Sequence, residues 1–348
     1  MIQATVLADS LSPAGVRLTT VQAEFPRWML AEVHTHRLQG PWNTGAQSSN
    51  SASSRAIPPE RIIQRVQSDP YVPQSFGGRV KGMGVGEALP NEDQLAAQKA
   101  WLYARDRAVQ AAQVLIGLNC DKSRINRLLE PFMWHTAIIT ATDWDNFFWL
   151  RAPEGDEWDR NFPAQPEFQM LAIDIRKRMQ ESTPQELQPG WWHLPFAREE
   201  ELAALCERRR NGTHNYFMEE LLRVCGRRLA RVSFDKHTDS EEFSISIGKG
   251  GELIASRHYS PFEHMARPAT PGDMVDLDTH LMVEAKAIQS AMASVELIGA
   301  EQSYLNMLEY IDPKSVWSGN LRGWIQYRKL IEETPWKDDE RDKYAAAL

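Results

Sequence analysis

The chain of 348 residues carries 47 acidic and 39 basic side chains, a net charge of −8, so duplex nucleic acid is not its expected partner. Hydrophobic residues at 42% and charged residues at 25% describe an ordinary soluble globular chain, and no window approaches the roughly 18 apolar residues of a membrane span. The opening MIQATVLADS has no basic or long apolar leader, which makes a cytoplasmic protein the expectation. At roughly 150 residues per domain the length allows about two. Cys120, Cys206 and Cys225 form no CxxC pair, so neither a disulfide framework nor a zinc site is suggested, and buried free thiols are expected. The 12 Trp are many, and several stand beside Arg, His or Asn, company that suits the wall of a planar ligand site as well as a core.

Residues 4–26 read as two short strands, with Val16, Leu18 and Thr20 alternating after the turn Ser12-Pro13-Ala14-Gly15. Trp28 to Val33 reads as helical and leads into His34-Thr35-His36-Arg37. A Ser-rich loop follows from Leu38 to Ser54, broken by Gly40-Pro41 and Asn43-Thr44-Gly45. A strong helix starts near Asn91, which has capping-box spacing to Gln94, and Leu95, Leu102, Val109 and Ile116 recur along one stripe. A helix is expected from Asp121 to Glu130 and a strand from Ala137 to Thr142. Gln165-Pro166-Glu167 opens another helix, with Phe168, Leu171, Ile175 and Met179 on one face. Ala230–Phe234, Phe243–Ile247 and Glu252–Ala255 look strand-like, Asp278 to Tyr310 reads as a long helix, and the charged tail after Pro335 reads as solvated. The expected architecture is α+β, a mixed sheet packed with long helices. An N-terminal part, 1–200, and a C-terminal part, 201–348, are expected to form one intertwined catalytic unit.

Four polar islands stand out. His36-Arg37 with Asn50, Ser51, Ser53, Ser54 and Arg55 offers hydroxyls and a guanidinium fork on a loop, which suits a phosphate. Arg127 precedes Thr140 to Arg151, where the run WDNFFWLR sets Asn146 among aromatics, next to Leu150 and Arg151. The third is His258-Tyr259-Ser260-Pro261-Phe262-Glu263-His264. In the fourth, Ser318-Gly319-Asn320-Leu321-Arg322-Gly323-Trp324-Ile325-Gln326-Tyr327-Arg328, a helix would bring Arg322, Gln326 and Arg328 roughly to one side.

Together the islands resemble the flavin-dependent thymidylate synthases. The third looks like that family's H-x-[ST]-P-F-E-H box, and the run from Arg322 to Arg328 is similar to its R-Q-W-x-R-H-R stretch. His36-Arg37 with Asn50, Ser53 and Arg55 resembles R-H-R-x-x-S-x-N-E-x-S-x-R. Asn146, Leu150 and Arg151 resemble N-F-L-x-L-R, and Ala164, Gln165 and Glu167 the A-Q-x-E that follows. The whole looks most like the branch carried by bacteriophages. The resemblance implies FAD held by His258, Ser260, Glu263, Asn50, Asn146 and Leu150. It implies a nucleotide held by Ser53, Ser54, Arg55, Arg127, Arg151, Arg322, Gln326 and Arg328. His36, Arg37, Ser53 and Arg151 would stand at the reacting atoms.

The implied reaction is reductive methylation of dUMP at C5 to dTMP. NADPH reduces the FAD, 5,10-methylenetetrahydrofolate supplies the carbon, and a homotetramer shares its sites between subunits. Thr35 replaces the first Arg of R-H-R, Ser51 replaces the Glu, about eight extra residues within Leu38 to Ser48 widen the spacing, and the SPFEH box follows the HR box. These departures leave two further readings: a cytosine nucleotide methylated or hydroxymethylated by the same chemistry, and a flavin- or nucleotide-binding relative without turnover.

Overall fold

The computed structural model describes residues 1–34, 48–51, 53, 56–81, 85–232, 241–270, 273, 281–283 and 316–332. The chain opens on a hairpin, β1 (Gln3–Leu11) and β2 (Arg17–Pro26), antiparallel with Val6 opposite Val21. Gly15 turns it at φ 77°, a conformation that strains any residue with a Cβ. A 3-10 turn over Arg27–Met29 and the short α1 (Leu30–Val33) follow, as the Trp28 to Val33 pattern requires. An edge strand, β3 (Ser48–Ser51), comes next. Three helices, α2 (Pro59–Ser68), α3 (Asn91–Gly117) and α4 (Lys122–Arg127), build a lobe around Ile62, Val66, Val109, Ala112, Ile125 and Leu129.

The chain then returns to the sheet through β4 (Trp134–Ala141), continues through α5 (Asp145–Arg151) and α6 (Pro166–Glu181), and lays β5 (Gln185–Glu186) parallel to β1. The sheet runs β3-β4-β2-β1-β5, antiparallel except at β5, so the fold is α+β with a mixed sheet. Side chains alternate across it. Val21, Ala23, Phe25, Ala137, Ile139 and Ala141 pack against Phe168, Leu171, Ile175 and Met179 of α6, the stripe expected from sequence. Ile138 faces the other way. There it meets Leu205 of α7 (Glu199–Arg210), Leu221, Leu222, Cys225 and Leu229 of α8 (His214–Val232), and Phe262, with Leu253 and Ile254 of α9 (Phe243–Ala255) packed alongside. Residues on both sides of position 200 therefore share one core.

Several expectations need correction. Phe243–Ala255 is one helix, not two strands, and Ala230 to Val232 close a helix. The glycines that weaken the helical signal have a packing cause. A Cβ at Gly250 would collide with the Arg223 carbonyl, so α9 meets α8 at backbone contact. The capping box at Asn91 does not form; the Gln94 side chain instead bonds the backbone of Phe76 and Leu89. The α4 helix stops at Arg127, and Pro131 lies in a separate 3-10 turn, Glu130–Phe132. The stripe on α3 is buried at Val109, whereas Leu95 is exposed. Only Cys225 is buried, and Cys120 and Cys206 are exposed.

The C-terminal residues add β6 (Ala266–Pro268), β7 (Leu281–Val283), β8 (Val316–Ser318), β9 (Leu321–Arg322), β10 (Trp324–Gln326) and α10 (Tyr327–Ile331). Leu281–Val283 is thus strand where a helix was expected; the rest of 278–310 and the tail after Pro335 lie outside the described residues. Among the described residues no helix is long and apolar enough to cross a membrane.

One packing contact yields a prediction. A Cβ at Gly226 of α8 would lie 2.7 Å from Phe262 Cζ, and Phe262 is fully buried within the SPFEH box. Gly226→Ala should therefore cost about 1–3 kcal/mol by overpacking. An unchanged urea midpoint would show that the ring can move aside.

Candidate functional site

Two regions carry the polar residues. The first is a cleft of about 210 Å³ between the sheet and the helical lobe, lined by Arg27, Arg65, Ser53, His135, Trp134, Ile62 and Phe132, with Glu24 and Asp69 at its wall. Pro26 ends β2 and sends Arg27 into the cleft, where it is mostly buried. Its Nη1 lies 3.0 Å from His135 Nδ1 and 3.2 Å from Nε2, while Nη2 reaches Glu130 at 3.4 Å. The Glu130 carboxylate is shared, with Arg127 Nη1 3.8 Å away on an exposed side chain. One carboxylate thus faces two guanidiniums. Burial, ahead of the nearby Arg27 charge, pushes His135 down to about 3 and holds His34 below the ordinary imidazole range. The neutral His135 imidazole, a buried guanidinium and the Ser53 hydroxyl make a pocket able to bind an oxyanion.

The second region is a corner where separated boxes interlock. Ser260–His264 forms a 3-10 turn that packs on β3 and α8. The buried Gln326 side chain donates to the Glu263 carbonyl at 3.0 Å and to Asn320 Oδ1 at 2.9 Å, and its backbone N–H donates to Ser318 Oγ. Gly319, at φ 62°, makes room: a Cβ there would collide with the Gln326 amide. Arg328 pairs with Glu263 and with Glu332. Arg322 pairs with Asp143 at 2.8 Å and its backbone N–H donates to Thr142 Oγ1, which ties this corner to the turn before α5.

Several expected site residues are thus placed, though not together. Ser53 and Arg127 belong to the cleft and its rim. Glu263 in the 3-10 turn forms the corner with Arg322, Gln326 and Arg328, which lie on two short strands and a helix start rather than on one helical face; Arg322 is paired with Asp143, and Arg328 with Glu263 and Glu332. Arg151 closes α5 with its guanidinium 5.0 Å over the Phe168 ring; Asn146 is half-buried and Leu150 exposed on the same helix. His258 is exposed, its Nδ1 2.9 Å from Ser256 Oγ, and Ser260 is exposed. Asn50 lies on β3 opposite Ile138. His36, Arg37, Ser54 and Arg55 lie outside the described residues.

Sequence reasoning missed Arg27, Arg65 and His135. A signal for two of them was present: Arg27-Trp28 and Trp134-His135 are among the Trp residues that stand beside a polar partner. It also missed Glu167's buried partner, the Tyr71 hydroxyl, which donates to it at 2.6 Å.

No family model and no curated protein matches this chain. Two solved structures of a UMP/dUMP methylase, PolB from Streptomyces cacaoi, are similar over half of it. The one bound with 5-Br UMP has TM-score 0.41 and 15% identity, covering 52% of this chain and 89% of that one. The one bound with 5-Br dUMP has TM-score 0.39 and 14% identity, covering 52% and 91%.

Proposed function

We propose that the chain is an FAD-dependent thymidylate synthase that methylates dUMP at C5, using methylenetetrahydrofolate and NADPH, as a homotetramer. The observation that carries this reading is convergence. The strand bearing Asn50, the SPFEH turn and the QYR segment at the β10–α10 junction are far apart in sequence, yet they pack as one corner whose motifs resemble that family. The donor set fits a flavin. Ser260 lies exposed at the start of the turn, His258 lies exposed just before it, and His264 buries a ring nitrogen that has no partner. His258, Ser260, Glu263, Asn50, Asn146 and Leu150 would hold the flavin, which when bound supplies hydride transfer between NADPH and the folate-derived carbon. Arg27 and Ser53, with Arg127 at the rim and with Arg151 and Arg55 as the family resemblance implies, would neutralise and orient the nucleotide phosphate.

Incubation with FAD, NADPH, methylenetetrahydrofolate and either dUMP or dCMP tests the reading, with products separated by mass. dTMP formed only from dUMP and only with the complete set is expected. A methylated or hydroxymethylated dCMP would move the substrate to cytosine, and flavin binding without product would leave a non-catalytic relative.

The thiols have no part in this chemistry. Cys225 is fully buried, and burial pushes its thiol up to about 12, so it carries no thiolate near neutrality. Changing Cys120, Cys206 and Cys225 together to Ala should leave turnover in place, with a stability loss confined to the Cys225 site. Abolished turnover in a folded triple variant would require a cysteine nucleophile.

A further inference from the structure

A second cavity, of about 410 Å³, shares no lining residue with the cleft. The two adjoin where Tyr71, in the wall of this cavity, meets Trp134 of the cleft edge to face, with ring centroids 5.4 Å apart. Trp28, Tyr71, Phe76 and Trp101 line the cavity, and Glu167 is the one charged residue among the described residues that do. The rings are walls, not a stack. Tyr71 meets Trp28 at 56° and Trp101 at 87°, with centroids 6.1 and 6.3 Å apart. They are also pinned: Trp101 Nε1 donates to the Tyr71 carbonyl at 2.9 Å, and the Gln94 side chain bonds both the N–H and the carbonyl of Phe76. Walls fixed in this way need little further ordering when a ligand arrives.

Glu167 is only 6% exposed. The Tyr71 hydroxyl donates to its Oε1 at 2.6 Å, and burial, then the Glu167 charge, push the phenol's pKa up, so the proton stays on the tyrosine. The carboxylate also lies in the first turn of α6, where the helix dipole favours an anion. Hydrogen bond and dipole stabilise the charge, but neither is a counter-ion. Among the described residues no cation pairs with Glu167, and its Oε2 accepts no hydrogen bond. Arg160, which reaches the cavity's edge, bonds Ser75 Oγ and the Gly86 carbonyl instead. A buried carboxylate without a counter-ion is costly, and a bound cation would remove that cost.

We infer that this cavity binds a small alkyl-substituted ammonium ion, its charge set against Glu167 and its alkyl groups against Trp28, Tyr71, Phe76 and Trp101. An ammonium whose charge is spread over methyl groups suits both parts of the site. It sheds water more readily than a bare ammonium, and the negative faces of aromatic rings attract it. An anion would be repelled by Glu167, and a neutral apolar ligand would bury that carboxylate further with nothing to pair it. The site does not depend on a flavin or a nucleotide being bound.

Proton NMR titration with choline, following its N-methyl signal, tests the site. The comparison ligand is the tert-butyl analogue of choline, an uncharged isostere in which carbon replaces nitrogen. Choline should bind saturably, and the isostere about tenfold more weakly or less well still. Glu167→Gln keeps the side chain's shape and an acceptor for the Tyr71 hydroxyl. With its melting temperature close to wild type, that variant should lose about tenfold or more in choline affinity and little for the isostere. Phe76→Leu keeps apolar volume without the ring and should weaken choline about two- to fivefold. Wild-type protein that binds both ligands equally would show an apolar pocket only and overturn the inference. So would wild-type protein that binds no choline, or a folded Glu167→Gln variant with undiminished choline affinity. The comparison of the two ligands on wild-type protein stands even if neither variant folds.

Discussion

Arg27→Lys is expected to weaken dUMP binding ten- to a hundredfold while leaving the fold intact. The side chain is mostly buried in the cleft, and its Glu130 partner is 3.4 Å away and shared with Arg127. A phosphate entering there would meet a planar fork pointing from the end of β2, beside the Ser53 hydroxyl. Lysine keeps the charge but not the fork, and it cannot hold two oxygens at once. Each hydrogen bond lost to a charged group is worth about 1.5–3 kcal/mol, which corresponds to the stated range in affinity. Lysine is the choice because alanine would also open a cavity beside His135 and confuse binding with stability. Calorimetric titration with dUMP, paired with a thermal melt, reads the two apart. Arg322→Lys is the contrast. Its guanidinium is bonded to Asp143, so dUMP affinity should change little. If instead Arg322→Lys weakens binding and Arg27→Lys does not, the phosphate lies at the corner and not in the cleft.

The parts of the fold legible in sequence are those where one periodicity dominates. The β1–β2 hairpin alternates around a glycine turn, and α6 sets Phe168, Leu171, Ile175 and Met179 on one stripe; both are found as read. The α8–α9 pair was misread because its signal depends on a neighbour. Gly248, Gly250 and Gly251 lower helix propensity in isolation, and only the approach of α8 at Arg223 explains Gly250. The corner was half legible. Its motifs could be seen, but the pairings of Arg322 with Asp143 and Arg328 with Glu263 span 179 and 65 positions, distances over which no spacing rule operates. Arg27 and His135 are 108 positions apart and meet only because β2 and β4 are neighbours in register, with Phe25 opposite His135. The buried hydrogen-bonded run Ser10–His193–Thr20–Thr140–His264 is hidden for the same reason. Hydroxyls and imidazoles look like surface residues until the register puts them on the inner face.

Acidification from pH 7.5 to 5.5 should cost the fold about 4 kcal/mol, well before most carboxylates titrate. His135, His193 and His264 are buried, and burial pushes each from 6.5 down to about 3 in the folded state. The unfolded chain binds three protons below pH 6.5 that the folded chain refuses. The sign follows: this contribution is fully present above the ordinary imidazole value and is lost as pH falls toward about 3. Each such group changes stability by about 1.4 kcal/mol per pH unit in that window, so three together approach about 4. Paired carboxylates act lower down. Arg227 and Ser246 hold Glu241 at about 2, so what it contributes is lost only below the ordinary carboxylate range. Urea unfolding at half-unit steps of pH separates the two regimes. A slope equivalent to nearly three protons between pH 6 and 5 is expected, falling to nearly two in a folded His135→Phe variant. Stability that stays level down to pH 5 would mean that all three imidazoles titrate in the folded protein. The buried hydrogen-bonded run through His193 and His264 would then be open to water.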